Sequence, residues 1–379
     1  MTEQKIQTEL QGIIKKIDRN MALYIQKTPN ISESLCYSEN LSTDGDWTGS
    51  FWTGMVIMAG ILTGEQKYAD YIDSYYDFYQ KRIDRSYKDH DLGFLYQLYA
   101  LNAYRWTQDM RYAHMAAEGA EALLHRYNPR GGYIRAWGNL IDPNNSGKII
   151  IDCMMNLPLL FCVSQMTGNK AMEKAAANHA NAALNHIRPD GSTHHTFDFE
   201  YVTGKPINGE NEGGYNDESC WSRGMSWGIY GFYLAWMHTG ENHFLNAAIN
   251  LANYFIERLD ENSMPKWDFI LDENAPSPEA IDTSAAAITV SGLLDLCKVV
   301  DEKTAKRFKN AADKMLISLM ENYSHTFDDK AEALLEKAYG GGMKDGKRVV
   351  RQMAAIWGDY YYMEALIKRS GIPLQMWSM

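Results

Sequence analysis

Residues 224–259 read GMSWGIYGFYLAWMHTGENHFLNAAINLANYFIERL. From Gly224 to Met237 the run is apolar and aromatic on nearly every helical face, so a helix here has no side to offer to water. His238-Thr239-Gly240-Glu241 then break it. From Phe244 to Leu259 apolar residues recur at helical spacing with polar residues between them, the mark of a helix with one wet face. The stretch therefore predicts a buried inner helix, a tight turn and a half-solvated outer helix.

The same unit recurs along the chain. SFWTGMVIMAGIL (50–62) and TSAAAITVSGLLDL (283–296) are of the inner type. The turns are LTGEQKY at Thr63, WTQDMRY at Thr107, MTGNKAM at Thr167, HTGENHF at Thr239 and VDEKTAK at Thr304. From TELQGIIKKIDRNMALYI (8–25) to IWGDYYYMEALIKR (356–369) the pattern predicts six outer and six inner helices in alternation. Few segments have strand period, and no Gly/Ser linker divides the chain. An all-α fold is expected, as one domain over residues 1–379. An open α-solenoid, a partner-binding scaffold, has the same repeat. The apolar inner helices favour a closed toroid of six hairpins, because a solenoid's concave face would be more polar.

Composition narrows the function. The net charge of −11 argues against nucleic acid or an anionic membrane as partner, while leaving room for an acidic small molecule in a locally basic pocket. The start, MTEQKIQTELQGIIKKI, has no apolar signal core, and no run approaches a membrane span. A cytoplasmic protein is expected, or a periplasmic one if a leader has been removed. Five cysteines (Cys36, Cys153, Cys162, Cys220, Cys297) form no C-x-x-C pair, which fits a reducing compartment and no zinc site. No metal or other cofactor is expected. Ten Trp and 24 Tyr suit both a large core and sugar-binding walls.

In such a toroid the N-termini of the inner helices share one end, where unpaired N–H groups and helix dipoles suit a carboxylate ligand. The residues before each inner helix are the candidates. Asp46, Asp282 and Asp359 read as helix caps, and Trp52 and Trp357 as core. Asp152 is different: it follows three isoleucines and precedes CMMNLPLL, an apolar setting that lifts a carboxyl toward the proton-donor range. Asp91 sits beside His90 at the head of DHDLGFLYQLYALNAYR (89–105). Two carboxylates from different inner helices, one pushed toward its protonated form, suit glycosidic bond cleavage. Arg223, between Trp221 and Trp227, is placed either to clamp a sugar carboxylate or to bridge neighbouring helices. His194 and His195 fall on an expected loop, as do Arg135 and Trp137.

Four of these stretches, HDLGFLY, IDCMMNLPLL, SRGMSWGIYGF and IWGDYYYMEAL, closely resemble the bacterial unsaturated glucuronyl hydrolases, glycoside hydrolase family 88. The resemblance runs along nearly the whole chain. It implies an (α/α)6 barrel without a metal, acting on lyase-generated oligosaccharides that end in a 4,5-unsaturated uronic acid. The implied chemistry is hydration of the vinyl ether: a proton goes to C4, water adds at C5, and the hemiketal opens. By the same resemblance Asp152 is the general acid and base and Asp91 the second essential carboxylate. His90, His195, Arg223, Trp227 and Trp137 line the subsite for the unsaturated sugar, with Trp47 and Phe51 as an aromatic wall. Glycosaminoglycan disaccharides are the expected substrates. The alternatives are pectin-derived unsaturated rhamnogalacturonyl disaccharides and a non-catalytic helical sugar-binding scaffold.

Two departures stand out. Family members often have a Gln ahead of W-x-R-G, where this chain has Gly213, so one polar substrate contact is missing or supplied elsewhere. Some streptococcal members carry Ser and Lys on a sulfate-binding loop. The segment from Tyr339 to Arg351 lacks those serines but holds Gly340, Gly341, Gly342, Gly346, Lys344, Lys347, Arg348 and Arg351. It is expected as a flexible surface loop, or as a lid whose Lys344 and Lys347 reach a sulfate.

Overall fold

A computed structural model describes residues 2–83, 89–138 and 145–379. The outer helices are α1 (Glu3–Met21), α3 (Gln66–Asp73) with α4 (Tyr76–Ile83), α7 (Met110–Leu124), α9 (Lys170–Ala183), α11 (Asn242–Ile256) and α13 (Glu302–Ser318). The inner helices are α2 (Gly49–Thr63), α5 (Leu92–Tyr96) running through a π turn into α6 (Asn102–Thr107), α8 (Leu157–Thr167), α10 (Ser222–Thr239), α12 (Thr283–Leu296) and α14 (Ile356–Arg369).

The repeated threonine is a helix stop with one chemistry used four times. The hydroxyls of Thr63, Thr107, Thr167 and Thr239 each donate to the carbonyl four residues back, at 2.9, 2.7, 2.8 and 2.8 Å. Each then accepts the N–H two residues on, at 3.2 or 3.3 Å, turning the chain into the next helix. Gly64, Gly168 and Gly240 follow with φ of 72°, 77° and 72°, the left-handed cap that costs an L side chain strain. The fifth turn departs from this. Thr304 lies inside the first turn of α13 and bonds the Asp301 carboxylate, which caps that helix.

The ring closes. Each inner helix packs on the next, from α2 through α5, α8, α10 and α12 to α14, and α14 packs back on α2. That contact rules out the open solenoid. The axis is filled by rings: Phe94 lies 5.2 Å from Phe51 and 5.4 Å from Trp227, and Trp227 lies 5.5 Å from Tyr361. At the opposite end from the helix N-termini the C-terminal tail inserts Trp377. It stacks on Tyr361 and donates its indole N–H to Glu364 at 2.9 Å.

The all-α reading holds for the ring, while the connections hold strands: β1 (Ile31–Ser32), β2 (Tyr127–Asn128), β3 (Tyr133–Ile134), β4 (Lys148–Ile150), β5 (Thr196–Phe199), β6 (Pro206–Glu210), β7 (Ala338–Lys344) and β8 (Lys347–Ala355). They form antiparallel sheets in the orders β1-β8-β7, β2-β3 and β4-β5-β6. All lie in links from an outer helix to the following inner helix, so they gather at the mouth. The Gly-rich stretch expected as a loop is the β7–β8 hairpin, turned at Asp345 and Gly346 with φ of 51° and 72°. Of its four glycines only Gly346 has positive φ.

No described helix is long and apolar enough to cross a membrane. Among the described residues no group of three or more His, Cys, Asp or Glu side chains is placed to hold a metal ion.

Candidate active site

Backbone pairing assembles the site from four separate segments. The N–H of His90 donates to the Ala136 carbonyl at 2.9 Å, and the N–H of Ala136 to Lys148 at 2.9 Å. β4 pairs with β5, and the N–H of Ile151 donates to the His195 carbonyl at 3.0 Å. These links set His90 and Asp91 near Trp137, and Asp152 beside His195.

Asp152 sits on a 3-10 turn, Ile151–Met155, that leads into α8. Its Oδ2 lies 3.7 Å from His195 Nε2 and has no hydrogen-bond partner. Burial raises its pKa from 3.8 to about 7, against the downward pull of the nearby Arg223 cation. Asp91 caps α5 without a side-chain bond to that helix. Its pKa is pushed well up, first by burial and then by the charges of Asp89 and Asp152. Asp91 therefore holds the cap position through its backbone and leaves its carboxyl free of capping.

Both histidines are held neutral. Burial lowers His195 to about 3, helped by Arg223 and Arg348. His90 is fully buried, 3.5 Å from Asp91 Oδ1, and lowered well below 6.5 by burial and by Arg126. Neither serves as a charged acid near neutral pH. Trp137 faces His195 at 6.1 Å between ring centres, and Trp221 meets it edge-on at 5.1 Å.

Arg223 is clasped more tightly than its sequence neighbours suggest. Its Nη1 donates to Asp282 at 2.5 Å, to Ser284 at 3.3 Å and to the Tyr339 carbonyl at 2.8 Å. Its guanidinium lies 4.6 Å from Trp221 and 5.3 Å from Trp357. The helix-bridging reading is thus met on one edge. The second indole face is Trp357, 134 residues away in the chain (357 minus 223), not Trp227. Trp227 and Phe51 are 1% and 0% exposed, so they form the floor beneath the site rather than an open wall. Trp47 is the half-exposed member of that group, 5.0 Å from Trp357.

A cavity of about 450 Å³ opens above Arg223, walled by Trp47, Trp357, Tyr339, Lys344 and Arg351 among others. The hairpin register puts Lys344 opposite Lys347, Gly342 opposite Val349 and Gly340 opposite Arg351. Lys344, Lys347 and Arg351 therefore share one face. Lys347 lies outside the cavity lining. Arg348 points to the other face and donates to the Glu212 carbonyl at 2.7 Å. Gly213 lies against the Trp221 indole, where an added Cβ would come within 2.7 Å of the ring. A longer side chain there would displace Trp221, which accounts for glycine at that place.

Of the three expected helix caps, one holds and two change. Asp282 caps α12 as expected, accepting from Ser284 and Ala285 N–H. Asp46 is not the cap of α2, because Thr48 holds that position. Asp359 lies in the first turn of α14 but bonds away from it, accepting the Tyr37 hydroxyl and the N–H groups of Leu334 and Leu335. Sequence reasoning passed over Asn156, which bonds Asp91; Trp357 is buried as expected, and its ring also faces Arg223.

The chain is similar to known proteins along most of its length. The family model described as Glycosyl Hydrolase Family 88 matches residues 16–371. The unsaturated chondroitin disaccharide hydrolase of Streptococcus pneumoniae (strain ATCC BAA-255 / R6) is 32% identical, covering 97% of this chain and 92% of its own. The crystal structure of the unsaturated glucuronyl hydrolase of Bacillus sp. GL1 superposes with a TM-score of 0.89 at 33% identity, covering 97% of both chains. A mutant of the Streptococcus agalactiae enzyme, complexed with dGlcA-GalNAc6S, gives 0.82 at 29% identity, covering 100% of this chain and 94% of that one. The chain belongs to glycoside hydrolase family 88 and is an enzyme, not a helical scaffold.

Proposed function

We propose that this chain, acting as one catalytic unit, is an unsaturated glucuronyl hydrolase that releases the 4,5-unsaturated uronic acid from glycosaminoglycan oligosaccharides by hydrating its vinyl ether. The observation that carries the reading is Asp152: a carboxyl raised to about 7, with one oxygen unbonded, in a site whose histidines are neutral. Near pH 7 about half of such groups carry a proton and half can take one, the balance that general acid–base catalysis needs.

The step is a proton transfer followed by addition. Protonated Asp152 gives its proton to C4, and the C4–C5 π pair forms the new C–H bond. Positive charge develops at C5 and on the ring oxygen. Asp152, now a carboxylate, takes a proton from water as that water bonds to C5. The hemiketal opens, and the link to the partner sugar collapses with it. Asp91, 14% exposed at its side chain, is the second carboxyl of the site, and burial with the charges of Asp89 and Asp152 favours its protonated form, so that it can donate a hydrogen bond to the substrate. The uronate carboxylate is met by the open edge of Arg223, with Trp137 and Trp47 as sugar platforms and His90, His195 and Trp227 shaping the subsite. The names of the relatives above support a glycosaminoglycan disaccharide as the substrate class.

The test is a panel of lyase-generated disaccharides, rhamnogalacturonyl ones included, followed by loss of the conjugated-alkene ultraviolet absorbance. Glycosaminoglycan-derived disaccharides should lose it and their saturated counterparts remain intact. Turnover of saturated substrates would point to ordinary glycoside hydrolysis.

A further inference from the structure

Asn156 stands at the end of the turn that carries Asp152, with a side chain that reaches the other carboxyl. It is fully buried. Its Oδ1 accepts the N–H of Phe94, in the first turn of α5, at 2.7 Å. An N–H donor fixes which end of the amide is oxygen, so the NH2 group faces the other way. There Nδ2 donates to Asp91 Oδ1 at 3.3 Å. Gly93 allows the approach: a Cβ at that position would lie 2.3 Å from Asn156 Cα and carbonyl oxygen. One amide thus ties the Asp152 segment to both the backbone and the carboxyl at the head of α5.

We propose that Asn156 is a positioning residue for the reaction, holding the Asp91 carboxylate in register with Asp152. The inference rests on the role given to Asp91 above. Asp91 also faces the charges of Asp89 and Asp152, the cations Arg82 and Arg126, neutral His90 at 3.5 Å and the buried Cys153 thiol. Of these, Asp89 and Asp152 favour the protonated form, and Arg82 favours the ionised one. A donor on Oδ1 likewise favours the carboxylate. Removing it makes the ionisation of Asp91 harder. A residue that only filled space would change stability or amplitude and leave the ionisation where it was.

The experiment compares Asn156→Ala and Asn156→Asp with the parent enzyme, reading kcat against pH on an unsaturated chondroitin disaccharide. The acidic limb should move up by about one pH unit in Asn156→Ala, the scale of one lost hydrogen bond to a carboxylate. It should move further in Asn156→Asp, which keeps the acceptor for Phe94 but sets a third carboxyl against Asp91. An unmoved limb in a folded variant would overturn the proposal. A second measurement uses the unaltered protein with 15N-labelled asparagine. The Asn156 side-chain amide signal should titrate with pH and cease to do so in Asp91→Asn. A signal indifferent to both would overturn the proposal, even if neither Asn156 variant folds. This readout needs no substrate, so it stays decisive if the substrate reading fails. Turnover with a non-titrating amide would sink this inference alone.

Discussion

Asp152→Asn should kill the enzyme and stabilise it at once. The amide keeps the shape of the carboxyl but cannot deliver a proton, so kcat should fall by at least the 10²- to 10⁴-fold (roughly) typical of a lost general acid–base group. Stability moves the other way. The folded pKa is about 7 and the ordinary value 3.8. Because the folded pKa is raised, the group's stabilising contribution is present below about 3.8 and lost as pH rises through about 7. A shift of roughly 3 pH units corresponds to a penalty on the order of 4 kcal/mol at full ionisation. The side chain is 17% exposed, so little of that penalty is screened by water. Asparagine removes it. Thermal melts of Asp152→Asn and the parent should therefore diverge most at pH 8, by several degrees, and converge toward pH 4. Activity is read from the alkene absorbance of a chondroitin-derived disaccharide. Near-normal turnover, or a Tm gain that does not depend on pH, would refute the assignment of Asp152 as a buried, proton-carrying acid.

The other perturbations probe separate parts of the account. Removing Lys344 and Lys347 together should raise KM for sulfated disaccharides only, because the sulfate-free contacts lie deeper at Arg223 and Trp137; equal losses on both substrates would detach the hairpin from sulfate. Arg223→Met leaves Asp282 buried without its cation and should cost about 3–5 kcal/mol in urea melts, whereas Arg223→Lys should fold and show a raised KM. His186 is buried with both ring nitrogens unbonded and its pKa depressed, so its contribution is present above about 6.5 and lost as pH falls. His186→Leu should flatten the stability–pH slope on the acid side by up to about 1.4 kcal/mol per pH unit, and an unchanged slope would count against a neutral buried imidazole.

The ring was legible in the sequence because its signal is long and repeated. Four Thr stops and the contrast between apolar and half-polar helices each report a local rule. Asp152 was legible for the same reason, since three isoleucines before a carboxylate announce desolvation. The strands were not legible. Most run for two to five residues, too short for a period of 2 to stand out. The one usable signal was Asp345-Gly346, a hairpin turn pair hidden by the glycines before it. Partners from distant segments were also invisible: Trp357 against Arg223, the Leu334 and Leu335 amides against Asp359, and Asn156 reaching back to Asp91. Trp227 and Phe51 show the converse limit. Their place near the inner-helix starts was right, but pattern cannot separate a floor from a wall, and packing made them floor.

The central claim is that water attacks C5 of the unsaturated uronate and not C1, the anomeric carbon of its glycosidic bond. Turnover in heavy-oxygen water, with mass analysis of both products, tests it most directly. Hydration predicts the label at C5, in the keto group of the acid derived from the uronate, and none at its C1. Label at C1 of the uronate, its anomeric carbon, with none at C5 would contradict hydration and make Asp91 and Asp152 an ordinary hydrolytic pair.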